Sequence, residues 1–565
     1  MNTHKKIISK KSVEKKLKHD PRYLFIVGGV ISGVGKGIAA SSIARILIDR
    51  GLTVTAIKID PYINVDAGTM NPTEHGEVFV LNDGDETDQD MGNYERFLNT
   101  DLTRMNYMTT GRVYQSVIEA ERNLEYKGKC VEVVPHVPIE VIRRIETAGK
   151  NANADIVIVE IGGTVGEYQN ILFLEAARMM KTKKPDRVFF SVVSYLPIPG
   201  KIGEMKTKPT QMAVRTLNAS GILPDIIIAR ASTSLDQKRK EKIAFMCMID
   251  PKRVISAPDV ASIYDVPINF EKEGLGDIIS GLMQLPTKKP KTSDWKSFVN
   301  RVHRTKKQIT IAVVGKYFET GDYVLSDSYV SVIEAIKYSA YYAGAEPTLV
   351  WLNAVDFEKD PKRINELKKY DGVLVPGGFG ARGVEGLISV IQYVRKNNIP
   401  YFGICYGMQL AVIEYARHVA GMSGAHTTEV DPKTPFPVID IMEHQKELLQ
   451  HNHYGNSMRL GQYPAVIQKN TLAYQAYKRE LITERHRHRY EVNNQYVEKL
   501  KKTGLCFSAT SPDRNLMEII ELPKSVHPYF IAVQFHPEFL ARPLDPHPVF
   551  NEFIKAAINR KKSKK

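Results

Sequence analysis

Two parts of the chain bring together residue types that can do chemistry. In PYFGICYGMQLAVIEYA (400–416) an apolar run passes through Gly403, Ile404, Cys405, Tyr406 and Gly407 into a helical pattern. Flanking glycines permit the sharp strand-to-helix turn that projects a nucleophile, and a helix N-terminus behind it favours thiolate. A buried, inert cysteine is the bland alternative. The partner base must come from another strand end. FIAVQFHPEF (530–539) supplies His536 and, two residues on, Glu538, with Pro537 stiffening the spacing. A carboxylate that orients an imidazole, which in turn activates a thiol, is the general triad logic. VPGGFG (375–380) ends a further apolar run with glycines whose N–H groups could stabilise an oxyanion.

The other part is FIVGGVISGVGKGIAASSIARIL (25–47), where glycines and Lys36 lie between a strand pattern and a helix pattern. Successive N–H groups and the helix N-terminus cradle phosphate, and Lys36 can reach the outer phosphates. The pattern departs from the usual P-loop. Val30 stands where the leading glycine belongs, and Gly37 replaces the Ser/Thr hydroxyl that ordinarily binds magnesium. Mg²⁺ must then be held by carboxylates elsewhere, because it demands hard oxygen ligands. Glu160, near the end of DIVIVEIGG (155–163), and Asp90, in DGDETDQD (83–90), are the candidates; the second stretch also reads as a solvated turn. KTKPTQ (206–211) sets two lysines beside hydroxyl and amide groups, which suits a triphosphate and equally suits an ordinary surface loop. Lys58 and Asp60 close a second strand pattern and point to the same edge. In ERHRHRYE (484–491), His486 and His488 share one strand face, but no cysteine or aspartate pattern completes a zinc site.

These residues sit at the ends of apolar, β-rich runs that alternate with helical patterns, which predicts an α/β class with two doubly wound parallel-sheet domains. Strands are expected at 23–27, 54–59, 156–161, 188–193 and 226–228, then at 309–314, 348–352, 372–375, 401–404 and 530–533. A helix is expected from Ile38 to Arg50, stopped by Gly51. The division is a basic N-terminal extension (1–21), a first domain (22–285), a basic linker poor in periodic apolar residues (286–308), a second domain (309–557) and a basic tail (558–565). A chain of 565 residues exceeds one core.

Hydrophobic residues at 43% and charged residues at 25% exclude wholesale disorder, collagen and a coiled-coil rod. The net charge of +15 invites a nucleic-acid reading. It is concentrated in the extension, the linker and RKKSKK at the end, so the folded part is close to neutral and no nucleic-acid partner is expected. Four cysteines without a CxxC pair fit a reducing cytoplasm. No signal-peptide h-region or membrane span is present, so neither secretion nor a membrane partner is expected.

PGGFG, G-I-C-x-G-M-Q and FHPEF together resemble the class I glutamine amidotransferase domain. GKGIAAS, KIDPYINVDAGTMNPTEHGEVFVLNDGDETDQDMGNYERF, VEIGGTVGE, KTKPTQ and RHRHRYEVNN narrow the resemblance to the CTP synthase family over roughly residues 22–557. It implies a P-loop-like, dethiobiotin-synthetase-like synthetase domain fused to a glutaminase. The implied chemistry is ATP phosphorylation of UTP, then displacement of phosphate by ammonia from glutamine to give CTP. It further implies an internal ammonia passage, Mg²⁺ as cofactor, GTP as activator, CTP as inhibitor, homotetramers and, in some members, filaments.

Carried over by motif, Cys405 is nucleophile, His536 base and acid, and Glu538 its orienter. Gly33, Val34, Gly35, Lys36, Gly37 and Ile38 match the ATP phosphate contacts, with Asp259 and Val260 at the adenine; Asp90 and Glu160 match the magnesium carboxylates. Ser32, Glu167, Tyr168, Gln169, Lys206, Thr207, Lys208, Pro209, Thr210, Gln211 and Lys242 match the UTP and CTP contacts, and Lys58 a lysine acting on the phosphates. Gly378, Tyr406, Gly407, Met408, Gln409, Glu429 and Arg489 match glutamine-holding positions. Arg382 and Gly383 match the loop linked to GTP. Three positions depart from the family pattern. Gln169 replaces a glutamate, Tyr406 a common leucine, and Pro258 a lysine before Asp259. A cobyrinate-type amidotransferase shares the build but lacks DPYINVD and KTKPTQ.

Overall fold

The computed structural model describes residues 20–71, 75–200, 204–286, 288, 293–316, 319–320, 323–324, 326–441 and 458–564. Most of the basic N-terminal extension lies outside the described residues. The first sheet is built from β1 (Arg22–Gly28), β2 (Val54–Asp60), β3 (Tyr107–Thr109), β4 (Ile156–Ile161), β5 (Val188–Tyr195), β6 (Ile226–Ala231) and β7 (Val254–Pro258). Their order is β3-β2-β4-β1-β5-β6-β7, and every pairing is parallel. From β1 the chain passes to β2 and the edge strand β3, returns to β4 beside β1, and then crosses to lay down β5, β6 and β7 on the other side. The crevice at the C-terminal end of β1 is therefore the topological switch point, where ligands bind in such sheets. The runs RYLFIVG and IVIVEI are buried almost throughout, which explains why they are continuously apolar rather than alternating.

The second sheet uses β8 (Lys307–Gly315), β9 (Ala345–Asn353), β10 (Gly372–Val375), β11 (Tyr401–Ile404), β12 (Arg459–Ile467), β13 (Leu481–His488), β14 (Cys506–Thr510), β15 (Met517–Glu521) and β16 (Phe530–Val533). Its order is β9-β8-β10-β11-β16-β15-β14-β12-β13. The first five are parallel, as expected; the remaining four form an antiparallel extension absent from the sequence reading. Those strands are short or carry charged side chains, so they lack the apolar run that marks a central strand.

Two basic segments hold more structure than their composition indicated. Within 286–308, Asp294–Arg304 is a helix capped by Ser293. Trp295, Phe298, Val299 and Val302 recur at helical spacing, and Trp295 is fully buried with its Nε1 donating to the Tyr264 carbonyl at 2.9 Å. The basic tail continues the Pro548–Ser563 helix, and Lys564 donates to Tyr370 O at 2.7 Å. No helix among the described residues is long and apolar enough to cross a membrane.

Candidate active site

Three neighbouring parallel strands deliver the Cys405 thiol, the His536 imidazole and the glycine strip to one edge. Val375 of β10 pairs in register with Gly403 of β11, and Ile404 of β11 with Val533 of β16. The residues that follow therefore emerge side by side: Gly377–Gly380, Cys405 and His536. Cys405 adopts φ 50°, ψ −98°, a strained turn before the Tyr406–His418 helix. Its N–H donates to Val533 O at 2.7 Å. Gly407 has no room for a side chain, since a Cβ there would come within 2.3 Å of Val375 O. The elbow is thus held by backbone on both neighbouring strands.

His536 Nδ1 and Glu538 Oε1 are 2.7 Å apart, both buried. Burial alone would push the imidazole down; the Glu538 carboxylate and the adjacent Cys405 outweigh it and hold His536 up to about 10. An imidazolium beside a sulfur is the charge state that favours thiolate. Gln534 Nε2 donates to Cys405 Sγ at 3.6 Å, and His536 N–H donates to Arg485 O at 2.7 Å. The reading of FIAVQFHPEF missed Gln534, although it sits within the segment.

A cavity of about 370 Å³ opens over these groups. Of the expected glutamine-holding residues, Gly378, Tyr406, Gln409, Glu429 and Arg489 line it. Gly407 and Met408 do not: the Met408 side chain is fully buried in the core beneath the helix. Glu429 accepts from Gly380 N–H at 2.9 Å. The far wall comes from the other half of the chain, as Gly68, Thr69, Met70, Glu77 and Val78. RHRHRY resolves by strand alternation. His486 and His488 share one face with ring nitrogens 2.9 Å apart, held well below the usual imidazole range by burial. Arg485 and Arg487 on the opposite face reach Glu95 and Glu86 in the first half.

At the switch point, Lys58 and Glu160 are register partners on β2 and β4, which sets both side chains on one face at the same edge. Lys58 Nζ donates to Glu160 Oε1 at 3.0 Å and to Asp90 Oδ2, with Asp60 Oδ1 3.8 Å away. Burial would lower Lys58, but these carboxylates dominate and raise it well above its ordinary range. Asp90 lies in the first turn of the Gln89–Leu98 helix. A Cβ on Gly37 would come within 2.3 Å of Asp90 Oδ1. The carboxylate therefore occupies the space of the hydroxyl that a usual P-loop carries. Lys36 Nζ donates to Gly163 O at 2.7 Å, and Gly33 and Gly35 take positive φ in the loop. Among the described residues no group of three or more His, Cys, Asp or Glu forms a metal cage.

A cavity of about 210 Å³ gathers Gly35, Ile38, Asp259 and Val260 beside Arg230, whose guanidinium donates to Asp259 at 2.7 Å. Another, of about 440 Å³, holds Tyr168 and Gln169 with Tyr62 and Thr110. Gln169 Nε2 donates to Glu167 Oε2 at 2.8 Å, and Glu167 Oε1 accepts from Thr164 Oγ1 at 2.6 Å. Thr207 to Gln211 open the Lys208–Ala219 helix behind Pro209, with Thr210 Oγ1 donating to Ser194 Oγ at 3.0 Å. Lys206 pairs with Glu204 at 2.6 Å, and the same carboxylate feels Lys242 from the Gln237–Cys247 helix. Ser32 is exposed at the crown of the glycine loop, and Arg382 and Gly383 precede the Val384–Lys396 helix.

A family model described as CTP synthase N-terminus matches residues 22–285, and one described as glutamine amidotransferase class-I matches residues 324–556. The CTP synthase of Caldanaerobacter subterraneus subsp. tengcongensis is 48% identical over 543 residues, covering 96% of this chain and 99% of that protein. That of Pyrococcus furiosus is 48% identical over 545 residues, with 96% and 99% covered. That of Bacillus velezensis is 46% identical over 545 residues, with 96% and 100% covered. Among solved structures, the glutaminase domain of Trypanosoma brucei CTPS is 37% identical, covers 44% of this chain and 94% of that one, and gives a TM-score of 0.41.

Proposed function

The chain belongs to the CTP synthase family, and we propose that it aminates UTP at the Lys36–Lys58 site with ammonia released from glutamine at Cys405. The observation that supports this division is the wall of the Cys405 cavity. Its catalytic side is glutaminase and its opposite side, Gly68–Met70 and Glu77–Val78, is synthetase. Ammonia formed there is released against the domain that uses it.

Cys405 Sγ attacks the carboxamide carbon of glutamine, and amides of the Gly377–Phe379 stretch, which lines the cavity while Gly380 N–H is held by Glu429, stabilise the oxyanion. The C–N bond breaks as His536 donates its proton to the leaving nitrogen, giving ammonia and a thioester. His536 then takes a proton from water, which attacks the thioester and releases glutamate and the thiol. Glu538 keeps the imidazole oriented through both steps.

In the other domain, ATP transfers its γ-phosphoryl group to the 4-oxygen of UTP, and ammonia displaces phosphate from C4. Lys36 and the glycine loop hold the phosphates and Lys58 offsets their charge. Asp90 and Glu160 fit a magnesium ion. They are hard oxygen donors converging on one ammonium, Lys58, and substrate phosphates fill the remaining positions of such sites. The ion would neutralise charge on the transferring phosphates. Asp259 and Val260 take the adenine, and Ser32, Glu167–Gln169, Lys206–Gln211 and Lys242 take the pyrimidine nucleotide. GTP activates through the Arg382–Gly383 loop, CTP inhibits at the pyrimidine site, and the enzyme works as a cytoplasmic homotetramer.

Absorbance change on incubating UTP, ATP and Mg²⁺ with either glutamine or ammonia tests the reading. CTP should form from both nitrogen sources; none from either would overturn it.

A further inference from the structure

Lys316 follows β8, is 4% exposed and belongs to neither the triad nor the expected glutamine contacts. An ammonium has three protons to donate, and burying one without partners is costly. All three of its protons have takers here. Nζ donates to Phe379 O at 3.3 Å, to Gly380 O and to the Tyr406 hydroxyl at 3.1 Å, and lies 4.2 Å from the centre of the Tyr406 ring. The Tyr406 hydroxyl in turn donates to Gly380 O at 2.8 Å. A buried ammonium thus donates to two carbonyls of the glycine strip and to the side chain beside the nucleophile, with the Glu429 carboxylate near enough to favour its charge.

The peptide plane is rigid, so a carbonyl held on one side aims the following N–H to the other. Fixing Phe379 O aims Gly380 N–H, which meets Glu429 in the cavity. Tyr329 hydroxyl donates to Gly377 O at 3.3 Å and does the same for Gly378 N–H at the other end of the strip. Glycines have the greatest backbone freedom to lose, so an unclamped strip would sample many orientations of those amides. Tyr406 is also where this chain departs from the leucine common in the family, and a leucine has no hydroxyl to close the bond to Gly380.

We propose that Lys316 and Tyr406 clamp the Phe379–Gly380 end of the strip, with Tyr329 on Gly377 O at the other end, so that the Gly378 and Phe379 amides between the two pinned ends stay aimed into the Cys405 cavity, making Lys316 and Tyr406 positioning residues for glutamine hydrolysis. The proposal rests on the glutaminase reading and acts on transition-state stabilisation rather than on glutamine affinity. A misaimed strip stabilises the developing oxyanion less while the Glu429 and Arg489 contacts still hold the substrate.

Tyr406→Phe removes one hydroxyl and keeps the buried ring. Measured as glutamate release by the full chain, kcat should fall about tenfold with KM for glutamine within about twofold. Lys316→Met should fall further, and ammonia-dependent CTP synthesis should stay near wild type in both. Unchanged kcat in Tyr406→Phe would overturn the clamp, as would a raised KM at constant kcat, which marks a substrate contact instead. Equal loss of ammonia-dependent synthesis would also overturn it, since that marks general misfolding. Absence of glutamine hydrolysis in the wild type would instead sink the glutaminase reading itself.

Discussion

Arg485 and Glu95, 390 residues apart in the chain, meet as a buried ion pair between the two halves of the molecule, with 2.9 and 3.0 Å separating nitrogen from oxygen. Both side chains are almost wholly excluded from solvent. Arg485 also donates to Asn82 Oδ1 at 2.5 Å and Val80 O at 3.1 Å, while its own carbonyl receives the His536 N–H. The residue that joins the two halves thereby also holds the backbone of His536. Removing one partner of such a pair costs about 3–5 kcal/mol where the other charge is left uncompensated, and Glu95 would keep the longer contact to Arg542, at 3.6 Å. Arg485→Met should lower the thermal midpoint by several degrees. Adding Glu95→Met should recover part of the loss, because the carboxylate left with only the longer Arg542 contact is then gone. A double variant no more stable than the single would show that the pair itself is not what matters.

Cys405 and the Lys36–Asp90 site lie on different sheets and share no side chain. Cys405→Ala should cut glutamine-dependent CTP synthesis at least about a thousandfold and leave ammonia-dependent synthesis near wild type. The same absorbance assay reads both, and equal loss of both would contradict the division of labour.

How much of this the sequence disclosed depends on how local each feature is. The elbow at Cys405 and the HPE turn were legible because each is set by glycine or proline within a few residues of a fully apolar strand. Lys58, Asp90 and Glu160 were legible as candidates only, since their convergence is a matter of register between β2 and β4 and of where the Gln89–Leu98 helix begins. The Arg485–Glu95 pair was not legible, because nothing near either residue indicates a partner in the other half. The alternation of RHRHRY did place both histidines on one face, but it could not say that the arginines opposite them would dock a domain. Trp295 and Phe298 were masked by the lysines around them, although their spacing carried the helix.

The His536 imidazole titrates near 6.5 in an unfolded chain and is held up to about 10 here, chiefly by Glu538 against the cost of burial. The folded state therefore binds this proton more tightly. The resulting stability is fully present below about pH 6.5 and is lost as pH rises through about 10. Glu538→Gln removes the main cause, so the wild type should exceed the variant in thermal midpoint by most near pH 6, with the gap narrowing toward pH 10. A gap independent of pH over that range would mean that the pairing does not hold His536 protonated.

Gln169 donates to Glu167 beside the cavity that holds Tyr168. A glutamate there would set two carboxylates against each other and turn one outward. Gln169→Glu should change the CTP inhibition constant while leaving synthesis from ammonia intact. An unchanged constant would remove the idea that this position tunes CTP inhibition.

Gly37 carries the least intuitive expectation. Restoring the usual P-loop residue by Gly37→Ser supplies a hydroxyl that binds magnesium in other loops, and on sequence alone it reads as a repair. In this fold the space is taken, since a Cβ would lie 2.3 Å from Asp90 Oδ1. Asp90 would have to move, and it is tied to Lys58 and to the first turn of its helix. Misplacing a group that orients phosphates costs about a hundredfold in rate. CTP synthesis from ammonia and from glutamine should fall together by that order, whereas glutamine hydrolysis, measured as glutamate release without ATP or UTP, should persist. Activity equal to or above wild type would show that Asp90 does not stand in for the missing hydroxyl.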